Sequence, residues 1–460
     1  MSKKQLIQEL VEALGQENVI TEQEDLVCYS FDATPDVPNP LPDVVVTPTC
    51  TEEVAKVVTI ALKYKTPIYP RGSGTNLCGG TVPLKGGIVL LSLKMNKILE
   101  IDPENLVAVV QPGVIIQHLN NAVAPHGLIY PPDPGTVTTA TMGGSVAECA
   151  GGLRGLKYGV TKHYIMGLEV VLPNGKVARF GGKTVKNVTA YDLVKLFTGS
   201  EGTLGIITEI TAKLIPAPET AAAMLATFSS LEDAGNAIKG IISSKVIPAT
   251  LEIMDQVTIR TVENFAKVGL PTDAKAILLI EVDGIPEVVA REAEAVEKVV
   301  IENNGSIKRA KDEQERENIW TARRAALPAL AQFKPTTVLE DATVPRSKIT
   351  EMLLFLEQIA EKYKLDIGTF GHAGDGNLHP TILTDARDKE EMERVHKAVD
   401  EIFAKAVELG GTLSGEHGIG IAKAKYLELE LGEAGMDVLR RIKNALDPEG
   451  IMNPGKIISN

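Results

Sequence analysis

Arg71-Gly72-Ser73-Gly74-Thr75-Asn76-Leu77-Cys78-Gly79-Gly80 lies between two short apolar runs, and its reading decides the first half of the fold. Upstream, Val44-Val45-Val46 reads as a strand. Thr49 with Glu52 fits a capping box opening a helix to about Tyr64, and Pro67-Ile68-Tyr69-Pro70 leads into the loop. Downstream, Ile88–Leu93 is a second strand, so the segment is a β-α-β start built around a glycine-rich loop. The loop is not a Walker A sequence, because no Gly-Lys-Ser/Thr follows. It also fails the GxGxxG fingerprint, since Leu77 takes the third glycine position. Its physics still suits an anion: glycines let backbone N–H groups converge, and Ser73, Thr75 and Asn76 add donors. An ordinary tight loop is the plain alternative.

Working outward, Val107–Val110 is strand-like and Ile115–Ala124 is helical, closing near Gly127. Then come Pro131-Pro132-Asp133-Pro134-Gly135-Thr136, Thr139-Ala140-Thr141-Met142-Gly143-Gly144-Ser145 and Ala150-Gly151-Gly152. This long irregular segment has little charge and many small residues, as suits backbone packed closely against something flat or extended. Disorder would carry more charge. Leu168–Leu172 and Val177–Phe180 flank an Asn174-Gly175 hairpin turn, and Gly199–Thr208 runs into an apolar stretch ending near Ile215.

The chain has 460 residues, enough for two or three domains, and 44% apolar residues. Its net charge of −13 argues against nucleic acid or an anionic membrane surface as the main partner. No apolar run approaches the length of a membrane span, and no signal peptide follows the opening lysines. Cys28, Cys50, Cys78 and Cys149 show no CxxC spacing, so they read as reduced thiols of a cytoplasmic protein.

Pro216-Ala217-Pro218-Glu219 reads as a linker, after which composition shifts. Helices are expected at Leu231–Ser243, Glu287–Asn303, Thr350–Tyr363 and Glu390–Leu409. Strands are expected at Ala249–Met254, Ala276–Asp283 and Leu365–Phe370. The alternation predicts an α+β domain with an antiparallel sheet. Within it, Phe370-Gly371-His372-Ala373-Gly374-Asp375-Gly376-Asn377-Leu378-His379-Pro380 carries an Asp-Gly hairpin signal. A two-residue turn at Asp375-Gly376 would set His372 directly opposite His379, with Cβ atoms about 4.5–5.5 Å apart. That is close enough for two imidazoles to share one divalent ion.

Leu413-Ser414-Gly415-Glu416-His417-Gly418-Ile419-Gly420 offers a carboxylate and an imidazole in a loop that its glycines can turn. His372, His379 and Glu416 would leave an open coordination position on a Zn, Fe or Mn ion. Arg323, in Trp320-Thr321-Ala322-Arg323-Arg324, can grip a carboxylate with its fork, although a solvated helix face explains two arginines equally well.

Taken together and in order, Arg71–Asn76, Pro132–Thr136, Thr141–Gly144 and Gly199–Thr208 resemble the vanillyl-alcohol-oxidase or PCMH-type FAD-binding proteins. Almost the whole chain is similar to the D-lactate dehydrogenase, glycolate oxidase FAD-subunit and D-2-hydroxyglutarate dehydrogenase branch. The resemblance implies α+β architecture. A two-subdomain FAD-binding domain would span residues 1–215 and a cap or substrate domain with the hairpin 216–410. The segment 411–460, ending in Asn453-Pro454-Gly455-Lys456, would return to the FAD domain. Arg71, Gly72, Ser73, Gly74, Thr75 and Asn76 would wrap the pyrophosphate. Pro132, Asp133, Gly135, Thr136, Thr141, Gly143, Gly144, Glu201, Gly205, Ile207 and Asn453 would line the rest of the cofactor. Members with covalent flavin often place a histidine in the first loop. Thr75 and Asn76 stand here, so non-covalent FAD is expected. Ser145 and Cys149 replace asparagines common in related sequences.

The same resemblance assigns the metal to the positions of His372, His379 and Glu416, the general base to His417 and the substrate carboxylate to Arg323. A rival assignment makes His417 a fourth ligand. Leu339 occupies a position where relatives acting on 2-hydroxyglutarate have lysine, which turns the expectation towards a small 2-hydroxy monocarboxylate, D-lactate before glycolate. Phe333, Lys334 and Tyr191 are further pocket candidates. Electrons would leave to a partner such as an electron-transfer flavoprotein or an iron–sulfur subunit. Two other outcomes share the scaffold: a non-redox flavin enzyme of the alkyl-dihydroxyacetone-phosphate synthase type, and a non-catalytic FAD subunit.

Overall fold

The computed structural model describes residues 2–458. The chain divides into two compact units. The first takes the described residues up to Gly151, Val160–Ala217 and the residues from Glu416 onward. The second takes Gly152–Gly159 and Pro218–Gly415. The units divide at 217/218 and 415/416, and the short excursion Gly152–Gly159 groups with the second. It belongs with the second unit because Lys157 Nζ donates to the Asp283 carboxylate at 2.5 Å and Tyr158 donates to it at 2.8 Å.

The first unit holds two main sheets. One orders Val19–Ile20, Val44–Val46, Ile88–Leu91 and Ile68–Arg71, the last three parallel. Parallel strands need crossovers, and the helix Thr51–Tyr64 supplies one. That helix begins later than the Thr49/Glu52 box implied: Cys50 is its N-cap, and the Thr49 amide and hydroxyl donate to Glu53 instead. Its Val54, Val57, Val58 and Ala61 recur at helical spacing. They pack with Leu6, Leu10, Val44, Ile68, Ile88 and Met452 into one core. The second sheet is antiparallel, in the order Ile98–Asp102, Val107–Val110, Ile206–Lys213, Ile165–Val171, Val177–Gly181. The chain returns at its C-terminal end, where Ile68 N–H donates to Ile451 O and Asn453 N–H to Ile68 O. The stretch read as wholly irregular contains a helix, Met142–Glu148, whose N-cap Thr141 accepts from Gly144 N–H at 3.2 Å.

The second unit is a fully antiparallel sheet, in agreement with the α+β expectation. Its order is Ser306–Arg309, Thr220–Phe228, Ala276–Gly284, Thr250–Asp255, Asp366–His372, Asn377–Thr384, Thr336–Leu339, with Ala342–Thr343 also pairing Asn377–Thr384. The helix Glu313–Phe333 packs on it, burying Trp320, Ala322, Ala326 and Leu330 against Met254, Ile277, Leu279, Phe370 and Leu383.

Candidate functional site

The hairpin corrects the sequence reading. His372 pairs with Asn377, Gly371 with Leu378 and Phe370 with His379, so His372 and His379 are diagonal rather than opposite. The physical reason lies in the turn. Gly376 alone takes positive φ (94°), Asp375 does not, and Asp375 and Gly376 N–H both donate to His372 O. A two-residue hairpin turn needs positive φ at its first central residue (type II′) or at both (type I′), so none is formed at Asp375-Gly376. Diagonal neighbours still share a face, and the two imidazole centroids are 5.1 Å apart at an interplanar angle of 89°. Both histidines are buried.

Strand pairing brings each histidine a carboxylate. Ile253 pairs with Gly371 and Met254 with Phe370, which sets Glu252 beside His372. Glu252 Oε1 lies 2.7 Å from His372 Nδ1, and its Oε2 accepts from Arg323 Nε at 2.5 Å. Leu339 pairs with Thr381 and Ala342 with Leu378, so Asp341 faces His379. Asp341 Oδ1 is 3.7 Å from His379 Nδ1, and Oδ2 accepts from Ser414 at 2.7 Å. Burial pushes the Glu252 carboxyl upward, but His372 and Arg323 outweigh it and hold it below the usual range, so it stays ionised. His372, tied through Nδ1 to a carboxylate, suits a divalent cation at its other nitrogen, and with His379 beside it the donor chemistry fits the expected ion.

Arg323 and Arg324 separate cleanly. Arg323 is buried, with its guanidinium 4.9 Å from the Phe370 ring centre, whereas Arg324 is exposed and pairs with Glu317. Along the same helix face, Arg316 Nε and Trp320 Nε1 both donate to Glu281 Oε2, at 3.0 and 3.1 Å. Of the further pocket candidates, Phe333 and Tyr191 are exposed, and Lys334 pairs with Asp366 and Glu391. His118, His126, His163 and His396 are exposed. Sequence reasoning missed Glu252, Asp341 as a histidine partner, and Glu281. The available signal was an acidic residue inside an apolar strand, as in Thr-Leu-Glu-Ile-Met-Asp at 250–255.

In the first unit, Glu416 and His417 lie in the glycine loop, with His417 Nε2 3.8 Å from Glu416 Oε1. Glu416 rests against Gly151, where a Cβ would fall 2.6 Å from Oε2. The loop is held from below. Glu201 accepts from Ile419 N–H at 2.6 Å and Gly420 N–H at 2.7 Å, and a Cβ on Gly420 (φ +48°) would strike the Cys78 carbonyl. Glu201 sits in a buried cluster with Cys78 and Glu148. Burial first, then Glu201 and Asp32, push the Glu148 carboxyl well above its ordinary value.

The expected cofactor residues divide by what they touch. Arg71 Nη1 donates to Phe31 O and Thr81 Oγ1, Asn76 Nδ2 to Asp32, Ser73 Oγ to Thr139 O, and Asn453 Nδ2 to Gly80 O and Glu201 O. These side chains shape loops. By contrast, the amides of Ser73, Gly74, Thr75 and Asn76 have no acceptor among the described residues. Gly74 has φ +71°, and a Cβ there would collide with the Arg71 guanidinium. Such a cradle of unpaired N–H groups fits a pyrophosphate. Gly143 packs on Pro112 and Gly205 on Val170, while Pro132, Asp133, Gly135, Thr136 and Ile207 lie on the adjoining loop and strand.

The fold defines a PCMH-type flavin-binding protein. A p-cresol methylhydroxylase with substrate bound matches at TM-score 0.81 with 21% identity, over 99% of this chain and 97% of that one. An alkyldihydroxyacetonephosphate synthase matches at 0.78 with 21% identity, over 99% and 86%. At that identity the likeness establishes the fold.

The chain belongs to the FAD-linked oxidases: residues 217–457 match the C-terminal domain of that family, and residues 42–181 match its FAD binding domain. It is 52% identical over 460 residues to the glycolate oxidase subunit GlcD of Bacillus subtilis (strain 168), covering 100% of this chain and 98% of that protein. GlcD of Escherichia coli (strain K12) is 39% identical, covering 91% and 84%. A D-lactate dehydrogenase of Anaerostipes hadrus is 39% identical, covering 90% and 89%.

Proposed function

We propose that the protein is an FAD-dependent, metal-assisted dehydrogenase of a small D-2-hydroxy acid, D-lactate or glycolate, giving the 2-keto acid. The observation that carries this reading is the buried row in which Arg323 and His372 share one carboxylate, Glu252. It joins a carboxylate-binding group to a cation-binding group, and a 2-hydroxy acid carries the matching pair on adjacent carbons. The names of the sequence relatives, a glycolate oxidase subunit and a D-lactate dehydrogenase, support the substrate class.

In this reading Arg323 binds the substrate carboxylate through its Nη groups. His372, His379 and Glu416 hold a Zn, Fe or Mn ion, which when bound lowers the pKa of the substrate hydroxyl. His417 removes the hydroxyl proton. The amide cradle at Ser73–Asn76 holds the FAD pyrophosphate non-covalently, with Arg71, Glu201 and Asn453 fixing the loops around it. FAD when bound supplies the hydride acceptor. Leu339, paired with Thr381, is apolar where relatives acting on 2-hydroxyglutarate carry a lysine, which supports a substrate with a single carboxylate. We further propose that a partner protein, an electron-transfer flavoprotein or an iron–sulfur subunit, reoxidises the flavin in the cytoplasm. No helix among the described residues is long and apolar enough to cross a membrane.

The test is an anaerobic panel of glycolate, D-lactate, L-lactate and 2-hydroxyglutarate against purified protein, read at the flavin absorbance near 450 nm together with metal analysis. Bleaching by D-lactate or glycolate and stoichiometric metal are expected. A flavin that no hydroxy acid bleaches would point to non-redox use or a non-catalytic subunit and end the proposal.

A further inference from the structure

Glu252 touches both groups on which the proposed chemistry depends. We propose that it is a positioning residue that makes His372 present Nε2 to the cation and Arg323 present Nη1 and Nη2 to the substrate carboxylate. The inference rests on the reading of His372 as metal ligand and Arg323 as carboxylate partner.

The geometry is over-determined. Glu252 is 0% exposed and lies inside the sheet, paired with Leu279 on one side and adjoining His372 on the other. A carboxylate buried this deeply is tolerated only when fully paired, and both oxygens are engaged: Oε1 at 2.7 Å from His372 Nδ1 and Oε2 at 2.5 Å from Arg323 Nε. An ionised carboxylate accepts and never donates, so His372 carries a proton on Nδ1, and Nε2 is the nitrogen that a bound cation would take. The same carboxylate takes the Arg323 Nε–H and fixes the guanidinium plane, which stacks over Phe370. With Nε engaged, Nη1 and Nη2 are the pair that would grip a substrate carboxylate. Because one side chain anchors both partners, the spacing between carboxylate grip and cation cannot relax. A 2-hydroxy acid, with its two oxygen functions on neighbouring carbons, requires that fixed spacing.

The test uses the full-length flavoprotein with Glu252→Gln. Glutamine keeps the volume. Its carbonyl accepts from Arg323 Nε, and its amide donates to His372 Nδ1, which forces the imidazole proton to Nε2. Four results are expected. Zinc affinity, measured by chelator competition, falls ~10–100-fold. The 15N shifts of His372 in metal-free protein report inversion of the tautomer. Flavin content stays at the wild-type level, because the expected FAD residues belong to the other unit. Saturating zinc restores part of kcat while the KM for D-lactate remains raised. Wild-type zinc affinity together with an unchanged tautomer in E252Q would overturn the proposal. Should E252Q lose the Trp320 emission of folded protein, Glu252→Asp replaces it: charge is kept and reach is one methylene shorter. A loss of zinc affinity or a raised KM then supports the bridging role, and wild-type values for both overturn it. Wild-type protein that binds no metal, or that no hydroxy acid bleaches, refutes the function proposed above and is read separately.

Discussion

Arg323 and Arg324 are adjacent in sequence and opposite in chemistry. The first is buried against Glu252 and Phe370, and the second is exposed beside Glu317. Replacing Arg323 with Lys keeps the cation and loses the planar fork. A charge-assisted hydrogen bond is worth about 1.5–3 kcal/mol, so R323K should raise KM for the hydroxy acid by ~10–100-fold. Arg324→Ala should leave KM unchanged; steady-state kinetics with a dye acceptor separates the two. At this scale the sequence made His372, His379, Glu416, His417 and Arg323 visible, because rare residue types stood in glycine-rich or helical contexts. It concealed Glu252 and Asp341, since their meeting with the histidines depends on strand pairings between segments up to about 120 residues apart. Nothing local to Thr-Leu-Glu-Ile-Met-Asp announces which strand will lie beside it.

Element boundaries were more legible than register. The helix Leu231–Ser243 was read to the residue, and the strands at Thr250–Asp255 and Ala276–Gly284 to within one, because apolar periodicity and Ser, Asp or Gly stops mark ends directly. The hairpin register slipped because the Asp-Gly signal assumes positive φ at both turn residues, and Asp375 does not adopt it. Gly376 does, and a Cβ there would collide with the Val344 carbonyl. Gly376→Ala should therefore cost at least ~1–2 kcal/mol from the left-handed backbone alone. Trp320, the single tryptophan, reports the second unit, so the loss is measurable as a lower urea midpoint in its fluorescence, with zinc affinity falling in parallel.

A second element-scale prediction concerns Asp255. It caps the helix Gln256–Ala266 by accepting from Thr258 N–H, and it accepts from Thr369 N–H on the hairpin strand, each at 2.8 Å. Burial raises its carboxyl from 3.8 to about 6, against the hydrogen bonds from Thr258 and Thr369. A raised acid binds a proton in the folded state that the unfolded chain releases. Its stabilising contribution is thus fully present below about 4 and lost as pH rises through about 6. Asn cannot titrate. The stability difference between wild type and Asp255→Asn should move in favour of wild type by ~2–3 kcal/mol between pH 7 and pH 4. Parallel urea curves across that range would contradict the assignment.

At the scale of the whole molecule, the first unit's sequence order announced its chemistry more openly than its contacts did. The glycine loop, the proline-glycine segment and Gly199–Thr208 were visible as motifs. The attachment of Gly152–Gly159 to the second unit was not, because it rests on Lys157 and Tyr158 reaching Asp283. The division has a functional consequence. Every residue expected to hold FAD belongs to the first unit, which has its own core around Val54, Val57, Ile68 and Ile88. His372 and His379 belong to the second, with a separate core around Trp320, Leu330 and Phe370. Cofactor retention and hydroxyl activation should then be separable. Dialysis against a strong chelator should remove the metal and leave the flavin spectrum intact. The chelated protein should fail to bleach with D-lactate or glycolate under anaerobic conditions, and Zn, Mn or Fe(II) added back should restore bleaching. If the metal-stripped protein bleached at the undiminished rate, the histidine row would be structural, and polarisation of the hydroxyl would have to come from His417 and the first unit alone.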